Sequence, residues 1–415
     1  MRRTLLPAVV ASAVYALAAI VWVGVGDALP GGRWAAVHLF TLGVVSNLVV
    51  ALTHHFAQTV LHTPARSARH GRFLLLNAGV VLLVAGLPTG LTGVFLAGAV
   101  ALTAAVCWLY VDLRRARRQA LAARFAFVVR GYERACGAFL HGALLGGLLG
   151  AGVLSGAWYG AGRIAHLHVN VLGWGGLTLL ATVVFFGPTV MRTRIEEGAD
   201  DAAVPALRHA ATGLTVATVA LLLTGVGGAG ALAAQLLAAG GLAVYAAGAT
   251  VVCLGVLRAG KRSHPSAHAR LLQAACGWLV LAVWADVLVV ATGQLSMLDA
   301  LGVLLLLGVL GQAILGALGY LAPMVRGTDP ASRTAIRRRL ETFGRLRPLA
   351  LNLGVALIVV AAMLGASGGM LGAVAARSGW LLVVAVVGSQ AVLTARSQPA
   401  RRATVATPTT REDQA

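Results

Sequence analysis

Eleven histidines are spread through this sequence of 415 residues, and three of them, His38, His166 and His168, fall inside long apolar runs. Neutral imidazole is a common ligand for haem iron and copper, and an ionisable side chain inside a membrane is costly enough to mark a functional candidate. A histidine at a helix end also serves simply to bond a carbonyl or water, so depth and register decide between the two uses. His38 lies early in a run over 34–61, and His166 and His168 lie early in a run over 164–190. Both runs are expected to cross in the same direction, which puts all three imidazoles in the outer third of the bilayer. Residues two apart on a helix point about 200° apart, so His166 and His168 share one pocket only where the helix start is irregular. His168 aligns with His38 and is the expected inward ligand. His166 is left as a supporting, solvent-facing or third ligand.

A second group, His54, His55 and His62, sits at the inner end of the run that holds His38, and His141 falls at a similar inner depth. His55 and His62 are one heptad apart and share a face, which makes a second metal or proton site a candidate against the plainer reading of interfacial histidines near headgroups. Asp286, in Trp284-Ala285-Asp286-Val287, lies well inside another apolar run. A carboxylate there is expected to be protonated, paired or part of a proton route. Asn47 and Gln312 are deep polar residues whose ordinary role is hydrogen bonding between helices. The four cysteines, Cys107, Cys136, Cys253 and Cys276, form no CxxC pair, so neither a disulfide framework nor a zinc knuckle is indicated. No Walker motif, GxSxG elbow, HExxH or CxxCH is present.

The elements that must position these residues follow from composition. Apolar residues make up 59% of the chain and charged residues 11%, far below the roughly 25% charge that wets a soluble domain. Apolar runs recur at 5–26, 34–61, 72–88, 91–111, 136–159, 164–190, 206–227, 229–257, 269–293, 298–325, 348–366 and 379–395. Runs of this length separated by short Arg-rich breaks specify an all-α integral membrane protein with about twelve transmembrane helices. The net charge of +20 raises nucleic-acid binding, but its location excludes it. With a cytoplasmic N-terminus, only Arg33, Arg163 and Arg377 fall on outer loops and the other basic residues lie inside, as the positive-inside rule expects. Both termini are then cytoplasmic, in a bacterial inner membrane, and the lipid bilayer is the first partner, with anionic headgroups drawn to the basic side. The first run is too long for a signal peptide and lacks a convincing cleavage site. Residues 397–415 are polar and read as a disordered cytoplasmic tail after a membrane domain over 1–396.

An internal repeat organises the runs. Without gaps, His38 to Gly43 aligns with His168 to Gly173 and with Val303 to Gly308, and fifteen residues past each glycine stand Gln58, Pro188 and Pro323. Asn47 then falls opposite Leu177 and Gln312, and His55 opposite Phe185 and Tyr320. The alignment favours three repeats of four helices, near 1–135, 136–268 and 269–396, over two six-helix halves, for which no matching broken helices are found.

The segment His166-Leu167-His168-Val169-Asn170-Val171-Leu172-Gly173-Trp174 resembles the HxHxNxxGW segment of NnrS-like membrane proteins and of relatives of heme-copper oxidase subunit I. Gly176-Leu177-Thr178 and Pro188-Thr189-Val190-Met191-Arg192-Thr193 resemble actinobacterial membrane proteins labelled copper oxidases, and a single lysine among 33 basic residues suits a high-GC bacterium. The resemblance implies a subunit-I-like fold of three four-helix repeats, with haem or copper in the outer part of the bilayer, tied to nitric oxide, nitrite or copper handling. It also implies a redox partner or accessory subunit. The paired histidines of the tenth span are missing, since Val303 stands at the repeat position, and so is the adjacent pair after the sixth span. The expectation is therefore a metal-binding membrane protein, and if an enzyme, an oxidoreductase that is not a complete oxygen reductase. The alternative is a transporter or accessory subunit that keeps the fold without redox chemistry.

Overall fold

A computed structural model describes residues 2–63, 70–120, 124–195, 197–261 and 265–396. His264 and the expected tail at 397–415 lie outside the described residues. In hydrocarbon a single segment satisfies its own N–H and C=O groups only as a helix, and each long apolar run is helical, with no strand among the described residues. In chain order the helices are α1 (Arg2–Val25), α2 (Gly32–Val60), α3 (His70–Gly86), α4 (Thr92–Arg118), α5 (Ala126–Gly150), α6 (Gly156–Met191) and α7 (Ala199–Leu223). They continue as α8 (Gly228–Lys261), α9 (Ala267–Thr292), α10 (Leu295–Arg326), α11 (Pro330–Leu340), α12 (Leu346–Leu364) and α13 (Gly369–Ala395). Among the described residues, ten helices are long and apolar enough to cross a membrane, all but α3, α5 and α11. The chain is an all-helical membrane protein whose apolar outer faces meet lipid.

Neighbours in sequence pack as neighbours in space: α1 on α2, α3 on α4, α5 on α6, α7 on α8, α9 on α10 and α12 on α13. In α6, 78% of the most apolar window is buried, against 17% in α1 and 22% in α13. The helix that carries His166 and His168 is therefore the centre of the bundle, and α1 and α13 are its rim.

Several boundaries differ from the sequence expectation. The expected run at 136–159 is replaced by α5, which starts ten residues earlier and ends at Gly150; Gly152 and Gly156, at φ 71° and 54°, then turn the chain into α6. The left-handed region favours glycine, which fixes that corner. The basic break expected at 112–135 is largely the last turns of α4 and the first of α5, tied by Arg117 to Glu133 at 2.8 and 3.1 Å. Arginine sustains a helix well, so charge ended the apolar run without ending the helix. For the same reason the break at 326–347 contains α11, opened by a reciprocal cap between Asp329 and Ser332. The last run, expected at 379–395, is the second part of α13.

Three helices carry a π-helical stretch: Leu39–Val45 in α2, Val169–Leu177 in α6 and Leu304–Gly311 in α10. Their first residues each follow the aligned positions His38, His168 and Val303. A π turn skips the regular i→i−4 ladder and frees a carbonyl. In α2 the Thr41 carbonyl accepts both the Ser46 N–H, five residues on, and the Ser46 hydroxyl, at 3.0 Å. In α6 the Tyr245 hydroxyl, from α8, donates to the Leu172 carbonyl at 3.0 Å. A Cβ on Gly176 would sit 2.3 Å from that hydroxyl, so this approach requires glycine.

Candidate functional site

His38, six residues into α2, and His166, ten residues into α6, lie side by side. The His38 and His166 rings are near-parallel, 19° between planes, with centroids 6.4 Å apart, and Trp34 stacks on His38 at 4.2 Å. Both imidazoles are half-buried. His38 Nδ1 bonds the Trp34 carbonyl at 2.8 Å, and His166 Nδ1 bonds the Gly142 carbonyl of α5 at 2.8 Å. A carbonyl only accepts, so each Nδ1 carries a proton and each Nε2 keeps the lone pair, the tautomer a metal-binding histidine uses. Two glycines of α5 make the seat. A Cβ on Gly146 would stand 2.7 Å from His166 Cε1, and one on Gly142 2.2 Å from the Asn170 amide nitrogen. Asn170 in turn donates to the His166 carbonyl at 2.8 Å.

His168 points elsewhere. Its Nδ1 bonds the Ile164 carbonyl at 2.8 Å and its Nε2 meets Asp286 Oδ1 of α9 at 3.1 Å, with side chains only 5% and 4% exposed. Nδ1–H is committed to the carbonyl, so one proton lies between Nε2 and the carboxylate and no nitrogen is left for a metal. The sequence expected His168, the counterpart of His38, to face inward beside it; the structure sets His166 there. The reason is the one already used: two residues turn the side chain to the opposite face, and α9 presents a carboxylate to that face. Asp286 is thus paired, as a carboxylate at that depth must be.

The second group does not converge in the same way. His54 is buried, with its Nε2 3.2 Å from Gln58 Nε2 one turn on. His55 lies against Phe56 at 5.9 Å between ring centroids. His62 follows the end of α2 in a turn at φ 52°. His141 is exposed on α5 and bonds the Gly137 carbonyl of its own helix at 2.9 Å. His141 therefore shows that an i−4 carbonyl bond alone does not mark a ligand. Among the described residues, no three or more His, Cys, Asp or Glu side chains gather as a metal-ligand set.

Asn47 and Gln312 make the bonds between helices expected of them, to partners the sequence had not pointed to. Asn47 and Asn77 exchange amide hydrogen bonds at 3.1 and 3.0 Å between α2 and α3, and Gln312 donates to Asn352 at 3.0 Å between α10 and α12. Arg72 lies five residues before Asn77 and Arg347 five before Asn352; Arg72 pairs with Asp112 at 3.0 Å, and Arg347 bonds Gln390. The signal was present as Arg72-Phe-Leu-Leu-Leu-Asn77 and Arg347-Pro-Leu-Ala-Leu-Asn352. Between the bulged helices, Trp174 Nε1 donates to Ser46 Oγ at 2.9 Å, and Phe186 meets Phe56 and Tyr320 at 5.1 and 5.4 Å. No protein-family model matches the sequence, and no curated protein matches it.

Proposed function

We propose that this chain is a membrane protein that holds haem iron or copper between His38 and His166, near the outer face of a bacterial inner membrane. The observation that carries the reading is the pairing of the two rings. Neutral imidazoles that donate through Nδ1 would each offer Nε2 to a haem iron or copper ion. The rings are 6.4 Å apart, and both have Nδ1 committed to a carbonyl. His38 and His166 would hold such a group through two imidazole nitrogens. The donor set does not fit a binuclear oxygen-reducing centre, because Val303 and its neighbours in α10 bring no imidazole. The group when bound supplies one-electron chemistry. The chain itself orients His166 through Gly142, packs Trp34 over His38, and keeps both rings beneath the helix ends.

The wider reading is a twelve-crossing bundle of three four-helix repeats with both termini in the cytoplasm, resembling NnrS-like and subunit-I-like proteins. It is supported by the three π stretches in one register, by the parallel Asn47–Asn77 and Gln312–Asn352 pairs, and by the basic residues gathered at one end. A redox partner or accessory subunit belongs to the same reading. A transporter or accessory subunit without redox chemistry is the second reading, favoured by the buried His168–Asp286 pair, since such pairs also mark proton routes.

The test is a reduced-minus-oxidised visible spectrum with metal analysis on protein purified in mild detergent after expression with ample haem and copper. A stoichiometric group lost in His38→Ala and in His166→Ala, and retained in His54→Ala, is the expected result. A colourless, metal-free protein would overturn the reading and leave the transporter or accessory subunit.

A further inference from the structure

We propose that Asp286 is a positioning residue: its hydrogen bond to His168 sets the rotation of α6 so that His166, two residues earlier, faces His38. The inference rests on the reading of His38 and His166 as a ligand pair. Its geometry does not.

α6 is gripped on opposite sides within one turn. On one side His166 reaches the Gly142 carbonyl of α5 at 2.8 Å; on the other His168 reaches Asp286 of α9 at 3.1 Å. These are contacts between residues 24 and 118 positions apart, made by side chains two positions apart. Immediately after His168 the helix enters its π stretch at Val169. An added residue per turn changes the direction of every side chain that follows, so the rotation before the stretch is not inherited from the regular helix after it. A fixed point at His168 supplies it. The pair suits that task because it is closed: Ile164 takes the Nδ1 proton, the one remaining proton lies between Nε2 and Oδ1, and both side chains are out of reach of water. A buried pair costs much to break and little to keep when its hydrogen bonds are complete. The two histidines of the His-x-His segment thus divide the work: one faces the centre and the other fixes its direction.

Residues that orient a metal ligand typically change metal affinity 10–100-fold when replaced, which sets the scale of the test. Full-length Asp286→Leu, Asp286→Asn, His168→Leu and His166→Ala variants are purified in mild detergent. Copper(I) affinity is read by competition with a chelator of known affinity, haem content by the haem-to-protein ratio, and folding by Tm. Asp286→Leu and His168→Leu are expected to bind at least about tenfold more weakly per folded molecule. Asp286→Asn keeps a donor for Nε2 and is expected to stay within about threefold of the parent, well inside that scale. A purely structural role would lower Tm in the leucine variants and leave binding per folded molecule unchanged, and that result overturns the inference. An Asp286→Asn loss as large as that of Asp286→Leu overturns it too, since the effect would then follow charge and not the bond. If the parent binds neither copper(I) nor haem, or if His166→Ala binds as the parent does, the ligand-pair reading fails and this inference with it.

Discussion

The two ends of the bundle both carry histidines, and they treat them differently. At the basic end, His54 meets Gln58 one turn along its own helix and His55 lies against its sequence neighbour Phe56. Contacts between helices there are mostly charge pairs, Arg72 with Asp112 and Arg117 with Glu133, joined by one buried imidazole, His268, which meets Glu341 at 3.4 Å and the Tyr320 ring of α10 at 5.8 Å. At the other end two imidazoles face each other, His38 and His166, and a third, His168, pairs with Asp286. An arginine pair is enough to hold helices together. Bringing imidazoles face to face adds desolvation and ordering without adding comparable packing, a cost that the proposed ligand pair would explain.

The sharpest way to break this contrast is substitution at both ends. On the proposed reading, His166→Ala should abolish haem or copper binding outright, whereas His54→Ala, His55→Ala and His62→Ala should leave it unchanged. Equal losses at the two ends, read as metal or haem per folded protein, would erase the distinction. For the basic end the large effect should be on stability. Arg72 and Asp112 are 5% and 4% exposed, and replacing Asp112 by Leu breaks this buried ion pair. A cost of about 3–5 kcal/mol is expected, measured as a fall in Tm or in denaturant midpoint, with metal content per folded molecule intact. A smaller effect is expected at Gly146. An added methyl would stand 2.7 Å from His166 Cε1, so Gly146→Ala must turn the ring. We expect about tenfold weaker binding, the lower part of the range for displaced ligand support, with little change in Tm. Unchanged binding would mean that the ring has room to give.

How far the sequence carried the site depends on which property is asked for. Distance from a helix end was legible for His38 but not for His166 and His168. These fall two and four residues into the expected run but ten and twelve into α6, because that helix begins at Gly156. Direction was legible for none of the three. It turns on about 100° per residue, on a π stretch whose presence no residue type announces, and on Asp286, 118 positions away from His168. The repeat alignment suggested His168 as the partner of His38, and aligned positions do share the onset of a π stretch. Yet those positions are used differently, one beside His166 and the other against a carboxylate. The apolar cores of the helices were legible for the reason that lipid demands them, while their ends were blurred wherever arginine extended a helix past its apolar part, as in α4, α5 and α11. The matching Arg–Asn spacing of α3 and α12 was readable and was missed. It lies in α3 and α12, not in α2 and α6, where the histidines drew attention.

The smallest effect should come from the pair that looks most like Arg72–Asp112 on paper. Arg33 and Asp299 join α2 to α10 at the histidine end, at 2.8 Å, shorter than the 3.0 Å of the buried pair. Their side chains are 64% and 55% exposed. Water screens the attraction and each long side chain loses freedom to make it, so exposed pairs are worth about 0–1 kcal/mol. Arg33→Ala should therefore shift Tm barely at all and leave the bound group in place, and added salt should shrink even that shift. Distance alone would rank Arg33–Asp299 first, and burial ranks it last. A large loss from Arg33→Ala would mean that this end is closed over by something that excludes water from the pair, which is what an accessory subunit seated on the His38 face would do.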